Sequence, residues 1–90
     1  MHLESFWLMT RGRVEIQPSR ELLKRLSRNV RERRKARGWS QKEFARRFGV
    51  HGVHYTLIAR IEQCRINITI GTLEQLAKAL GVSAHDLLKP

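Results

Sequence analysis

The sequence predicts an all-α domain of five helices preceded by an extended N-terminal arm, and three observations carry that prediction. Apolar residues recur three and four apart in successive blocks; hydroxyl or glycine residues stand where the blocks begin and end; and no long alternating strand pattern runs beyond the first residues. The 90 residues are a one-domain length, and short connections between helices make a bundle of mostly local contacts. Hydrophobic residues at 41% against 29% charged place the chain among globular domains rather than disordered segments.

Residues 1–18 form the arm and 19–90 the helical domain. In the arm Val14 and Ile16 alternate with Arg13, Glu15 and Gln17, and Arg11-Gly12 can turn a short hairpin against Phe6 to Thr10. Pro18 ends that segment. Ser19 then caps a helix whose Leu22, Leu23, Leu26 and Val30 share a buried face, and Gly38 stops it. Ser40-Gln41-Lys42-Glu43 has the form of a capping box, with the Ser40 hydroxyl on the amide of residue 43 and Glu43 reaching back. The second helix carries Phe44, Ala45 and Phe48 inward and meets Gly49. Leu57, Ile58 and Ile61 mark a third helix ending near Gln63; Cys64 to Ile70 is a β-branched loop. Thr72 caps a fourth helix with Leu73, Leu76, Ala77 and Leu80, closed by Gly81, and Ser83 caps a last short helix containing Leu87 and Leu88.

The formal net charge of +10 is far from ordinary and suits a polyanionic partner, nucleic acid or an anionic membrane face. Nine of the eighteen cationic residues fall between Arg20 and Arg37, so the first helix presents either a solvated basic surface or a binding one. A single cysteine, Cys64, excludes an internal disulfide framework and fits a reducing, cytoplasmic setting; as a redox thiol it lacks a resolving partner. Met1 to Ser5 has no cationic start of a secretion signal, and Phe6 to Met9 is too short for a membrane span, so a soluble chain is expected. His51, His54 and Cys64 make a poor tetrahedral metal site, and no cofactor motif is found. Paired carboxylates, a nucleophile with its base and a glycine-rich phosphate loop are all lacking, which argues against an enzyme.

Four pieces occur in order: Arg34 to Ala45 (RKARGWSQKEFA), Gly-Val before a helix ending Ile61-Glu62, Asn67, and Leu73 to Val82 (LEQLAKALGV). Together they resemble the helix-turn-helix domains of phage repressors, Cro proteins and related bacterial regulators, over Leu26 to Leu88. The resemblance implies a phage-repressor-like DNA-binding domain whose recognition helix enters the major groove while the preceding helix lies across the backbone. Ser40 and Gln41 then stand at a helix N-terminus facing a phosphate, with Gln41 as the clamp and Ser40 also a plain cap. His54, Tyr55, Thr56, Ala59 and Arg60 form the outer face of the recognition helix. Tyr55, Thr56 and Arg60 are the expected base readers, Arg60 through its planar fork to guanine and Thr56 through its methyl to thymine. Arg65 and Asn67 resemble a second backbone-binding site, and Arg34 and Glu62 match family positions that form a partly buried ion pair.

Three departures stand out. Cys64 occupies a position where the family usually has glycine, so a different cap is expected there, and Ile68 replaces a common proline, as in controller proteins of restriction-modification systems. The third is a tandem Gly-Val-His, residues 49–51 and 52–54, which adds three residues to the family spacing. Inside a helix that shift would rotate the readers by roughly 300°. The extra residues are therefore placed in the turn, with the third helix beginning close to His54.

The resulting expectation is a sequence-specific transcriptional regulator that binds double-stranded DNA at a palindromic operator as a homodimer, with no room for an effector-sensing domain. Phage-type repressor, restriction-modification controller and antitoxin autorepressor remain open within it. A protein-interaction module or coactivator of the same fold is the reading from another class; membrane-surface binding lacks the bulky apolar face it needs. The arm, with Phe6, Trp7, Leu8, Val14 and Ile16, is expected to pack on the domain or on a partner chain, with the last helix as the other interface candidate.

Overall fold

The structure is a computed structural model, and it describes residues 16–48 and 52–90. These form five helices and no strand: α1 (Arg20–Ala36), α2 (Gln41–Arg46), α3 (Tyr55–Glu62), α4 (Ile70–Leu80) and α5 (Ala84–Leu87). The expected hairpin falls on residues 1–15, outside the described part, as does the first Gly-Val-His. Ile16 to Ser19 are non-helical, and Ile16 is 78% exposed.

Each helix starts on a side chain that accepts an otherwise unpaired amide. Ser19, Ser40, Thr69 and Ser83 cap α1, α2, α4 and α5 through hydroxyls. Two expectations need correction here. The fourth helix is capped by Thr69, not Thr72: the Thr72 amide is itself the donor, at 3.1 Å to Thr69 Oγ1, so the helix includes Ile70 and Gly71. Ile70 is 85% exposed and adds nothing to the buried pattern, which is why apolar spacing started the helix late. The α2 box is half made. Ser40 Oγ accepts from the Glu43 amide at 3.0 Å, while the Glu43 carboxylate turns to Arg46 and Arg47 and is held below the usual carboxylate range by them, Arg46 first. The reciprocal box is complete at α5, where Ser83 and Asp86 exchange bonds of 3.0 and 3.1 Å.

The ends repeat one motif. Gly38 and Gly81 adopt left-handed φ of 73° and 69°, and the amides of Trp39 and Val82 reach back to the carbonyls of Arg34 and Ala77. Cys64 does the same at φ 57°, with its amide on Ile61 O at 3.1 Å and the Arg65 amide on Arg60 O at 2.9 Å. The expectation of a different cap is thus corrected: the glycine-type turn is kept, and cysteine bears the strain of a Cβ in that region. Cys64→Gly is expected to raise stability by about 0.5–1 kcal/mol in urea unfolding. A loss would mean that the thiol, 3.8 Å from Leu23 O, contributes more by packing than the backbone strain costs.

The core gathers Leu26 and Val30 from α1, Phe44 and Phe48 from and after α2, Ile58 and Ile61 from α3, Leu76 and Leu80 from α4, and Leu87 from α5. Two sequence expectations fail. Leu22, placed on the buried face of α1, is 36% exposed, because the inward stripe runs Leu23, Leu26, Val30 and Arg34 and Leu22 sits at its edge. Leu87, offered as an interface residue, is fully buried in its own chain, and Leu88 is partly buried against the same core.

Candidate nucleic-acid interface

α3 is positioned from both ends. At its N-terminus Gly52 takes φ 66°, and an added Cβ would lie 3.1 Å from Ala45 O, so the chain passes here close against α2. The Val53 amide then donates to that same carbonyl at 3.1 Å, and His54 caps the helix. Gly52 to His54 are thus non-helical, and α3 begins at Tyr55, in the register counted back from Glu62. Ile58 and Ile61 are buried beneath it.

The C-terminal anchor is a node joining three helices. Arg34 continues the buried stripe of α1, and its side chain is 10% exposed against 5% for Glu62. Its guanidinium meets the Glu62 carboxylate with two bonds, Nε to Oε2 at 2.7 Å and Nη2 to Oε1 at 2.9 Å, and gives Nη1 to the Trp39 carbonyl at 2.7 Å. The Gln41 side-chain amide adds a bond of 3.3 Å to Glu62 Oε1, and Ser27 Oγ donates to the Glu62 carbonyl. Hydrogen bonding to Glu62 raises the Arg34 pKa, partly opposed by burial, so the guanidinium is firmly charged.

With the two ends fixed, Tyr55, Thr56 and Arg60 lie exposed on the outer side of α3, and Ala59 between them is half-buried. Ser40 is exposed at the start of α2, and Gln41 half-buried with its amide turned to Glu62. Arg65 and Asn67 are exposed in the loop after α3. His54 is exposed, but its ring is engaged: the Thr56 amide donates to Nδ1 at 3.2 Å, the Thr56 hydroxyl lies 2.9 Å from the same atom, and the ring stacks on Tyr55 at 4.7 Å.

Sequence reasoning passed over Lys42. Its ammonium stands 5.2 Å above the Tyr55 ring, and with Arg46, Val53, His54 and Tyr55 it borders a shallow recess between α2 and α3. Only the packing of the two helices brings Lys42 there, so no spacing in the sequence announces it. Arg47 and Arg37 likewise flank Trp39, at 4.6 and 5.3 Å from its ring, and extend the basic surface around the start of α2. Among the described residues no group of acidic, histidine or cysteine side chains is arranged to hold a metal ion, and no helix is long and apolar enough to cross a membrane.

A short helix packed against an exposed one, both tied to a buried arginine–carboxylate pair, defines a helix-turn-helix unit. Comparison with known proteins agrees. The helix-turn-helix family HTH_3 matches residues 30–87, and the chain belongs to this family of DNA-binding transcription regulators. It is 38% identical over 77 residues to a hypothetical transcription factor of Neisseria meningitidis serogroup B, covering 86% of this chain and 70% of that protein. It is 40% identical over 63 residues to the control protein C.SmaI of Serratia marcescens, covering 70% and 71%. The crystal structure of a hypothetical transcription factor, NHTF, from Neisseria superposes with a TM-score of 0.71 at 37% identity over 86% of each chain. A helix-turn-helix regulator from Vibrio cholerae shares the fold, with a TM-score of 0.67 at 24% identity over 77% of this chain and 38% of that one.

Proposed function

We propose that this protein is a sequence-specific regulator that binds a palindromic DNA operator as a homodimer, with α3 in the major groove. The observation that carries the reading is the exposure of Tyr55, Thr56 and Arg60 on one side of a helix whose other side, Ile58 and Ile61, is locked in the core. In this division of labour Arg60 and Thr56 contact base edges and Tyr55 flanks them. Ser40, Gln41, Arg65 and Asn67 position the domain on phosphates. A single domain of this size covers too little of the groove for strong specificity, which favours two copies on half-sites about 34–36 Å apart. The likeness to a control protein supports a regulatory role.

Selection of bound duplexes from a random pool tests the reading, with recovery of one palindrome expected. Binding to acidic proteins with no preference among duplexes would favour an interaction module instead. On the selected site Arg60→Ala is expected to cost about 1–3 kcal/mol and to relax preference at one base position. Gln41→Ala is expected to weaken all duplexes alike, with its thermal stability measured in parallel because Gln41 also touches Glu62. Identical patterns for the two variants would overturn the assigned roles.

A further inference from the structure

We propose that His54 is a positioning residue for base readout: its neutral ring holds Thr56 and Tyr55 in place, so that sequence discrimination by α3 is lost when the ring takes up a proton. The proposal rests on the DNA-binding reading above and adds a mechanism to it.

α3 begins on a histidine, whereas the other four helices begin on a serine or threonine. A hydroxyl oxygen accepts a hydrogen bond at any pH; an imidazole nitrogen accepts one only while it is unprotonated. Here the accepting atom is Nδ1. It takes the Thr56 amide at 3.2 Å and lies 2.9 Å from the Thr56 hydroxyl, so one lone pair fixes both the first turn of α3 and the rotamer of Thr56. With Nδ1 accepting, the ring proton resides on Nε2. The ring also lies against Tyr55, 4.7 Å away and inclined by 28°, with Lys42 over Tyr55 at 5.2 Å. One side chain thereby orients two of the three expected readers.

Protonation reverses the interaction. Nδ1–H then faces the Thr56 N–H, so two donors oppose each other at the cap, the Thr56 hydroxyl must turn from donor to acceptor, and the added positive charge sits at the positive end of the α3 dipole. The charged groups lining the recess beside the ring, Lys42 and Arg46 from α2, are both cationic, and from α3 Tyr55 lines it. Among the described residues no carboxylate lines that recess to hold the imidazolium in place. The same positive charge is attractive to phosphate, so non-specific affinity is kept or raised while discrimination falls. This also separates histidine from aspartate at this site. Aspartate caps well, but it would set a carboxylate toward the DNA backbone.

The test measures the ratio of affinity for the selected site to that for random duplex, at constant salt, from about pH 8 to about pH 5.5. The wild type is expected to lose about fivefold in this ratio on acidification, if the stability that a helix cap gives its helix is carried over to discrimination. His54→Ala is expected to show the reduced ratio throughout. His54→Asn, which caps without an ionisable ring, is expected to restore the ratio and hold it flat with pH. In the free protein the Thr56 amide resonance is expected to move with the His54 ring signals, and its hydrogen exchange to quicken. A His54→Ala variant with the full ratio, or a Thr56 amide that ignores the His54 titration, overturns the proposal while leaving the regulator reading intact. A wild type with no sequence preference at any pH overturns both.

Discussion

Arg34→Ala is expected to destabilise the fold by about 3–5 kcal/mol, because it strands the Glu62 carboxylate in a site where only the Gln41 amide remains. A small domain has a total stability of about 5–15 kcal/mol, so this is a large fraction. The size of the effect follows from what the guanidinium joins. It closes α1 onto the end of α3 and onto the carbonyl that precedes α2, so one substitution loosens three helices. Lysine is no substitute: a point ammonium keeps the charge but not the two parallel bonds to the carboxylate, and Arg34→Lys is expected to fall between wild type and alanine. The pair Arg34→Met with Glu62→Leu is expected to lose less than either single change, since no charge is then left buried alone. Chemical denaturation of the four proteins closes the cycle. An Arg34→Ala loss under about 1 kcal/mol would show that water reaches Glu62 and that the node is a surface pair.

The architecture was legible because its signals are local. Ser19, Ser40 and Ser83 lie next to apolar runs of helical period, Gly38 and Gly81 follow them, and the core residues Leu26, Val30, Phe44, Ile58, Leu76 and Leu80 stand on the faces that period predicts. What escaped depends on choices the sequence presents in duplicate. Thr69 and Thr72 are both good caps three residues apart, and the decision falls to the first turn, whose Ile70 is solvent-exposed and so invisible to an apolar pattern. Glu43 had two uses, its own cap and the arginines one turn on, and two nearby guanidinium groups outweighed one amide. Cys64 shows the opposite limit: residue preference pointed away from a left-handed turn, but the amides of Cys64 and Arg65 still needed the carbonyls at the end of α3, and closing them outweighed the strain.

At the site, the outward set Tyr55, Thr56 and Arg60 follows from register alone once Ile58, Ile61 and Glu62 are anchored. The second role of His54 does not follow from register. Histidine is an uncommon cap, and its spacing to Thr56 looks the same whether the ring turns outward or back onto the helix. Lys42 was hidden for another reason, since it belongs to α2 and meets Tyr55 only through the packing of two elements separated by the turn.

Between about 50 and 200 mM salt, affinity for duplex DNA is expected to fall by about four orders of magnitude. With Arg60 kept for base edges, the exposed cations flanking the reading helix are Lys42, Arg46, Arg47 and Arg65, of which Arg46 and Arg47 share one acidic partner, Glu43. Two protomers on two half-sites bring about eight such contacts, and at roughly 0.9 counterions released per phosphate the slope of log affinity against log salt approaches about −7. A monomer would show about half that slope and lose only about two orders of magnitude over the same range. The slope therefore reports the assembly as well as the ligand, provided it is measured on the selected site and on random duplex together. Replacing Arg65 by alanine is expected to lower it by about 1 on both, as a backbone contact should. A slope much steeper than about −7 would place the basic outer face of α1 on the DNA too. A flat dependence would remove phosphate neutralisation from the binding free energy, and with it the case for DNA as the partner of this strongly cationic chain.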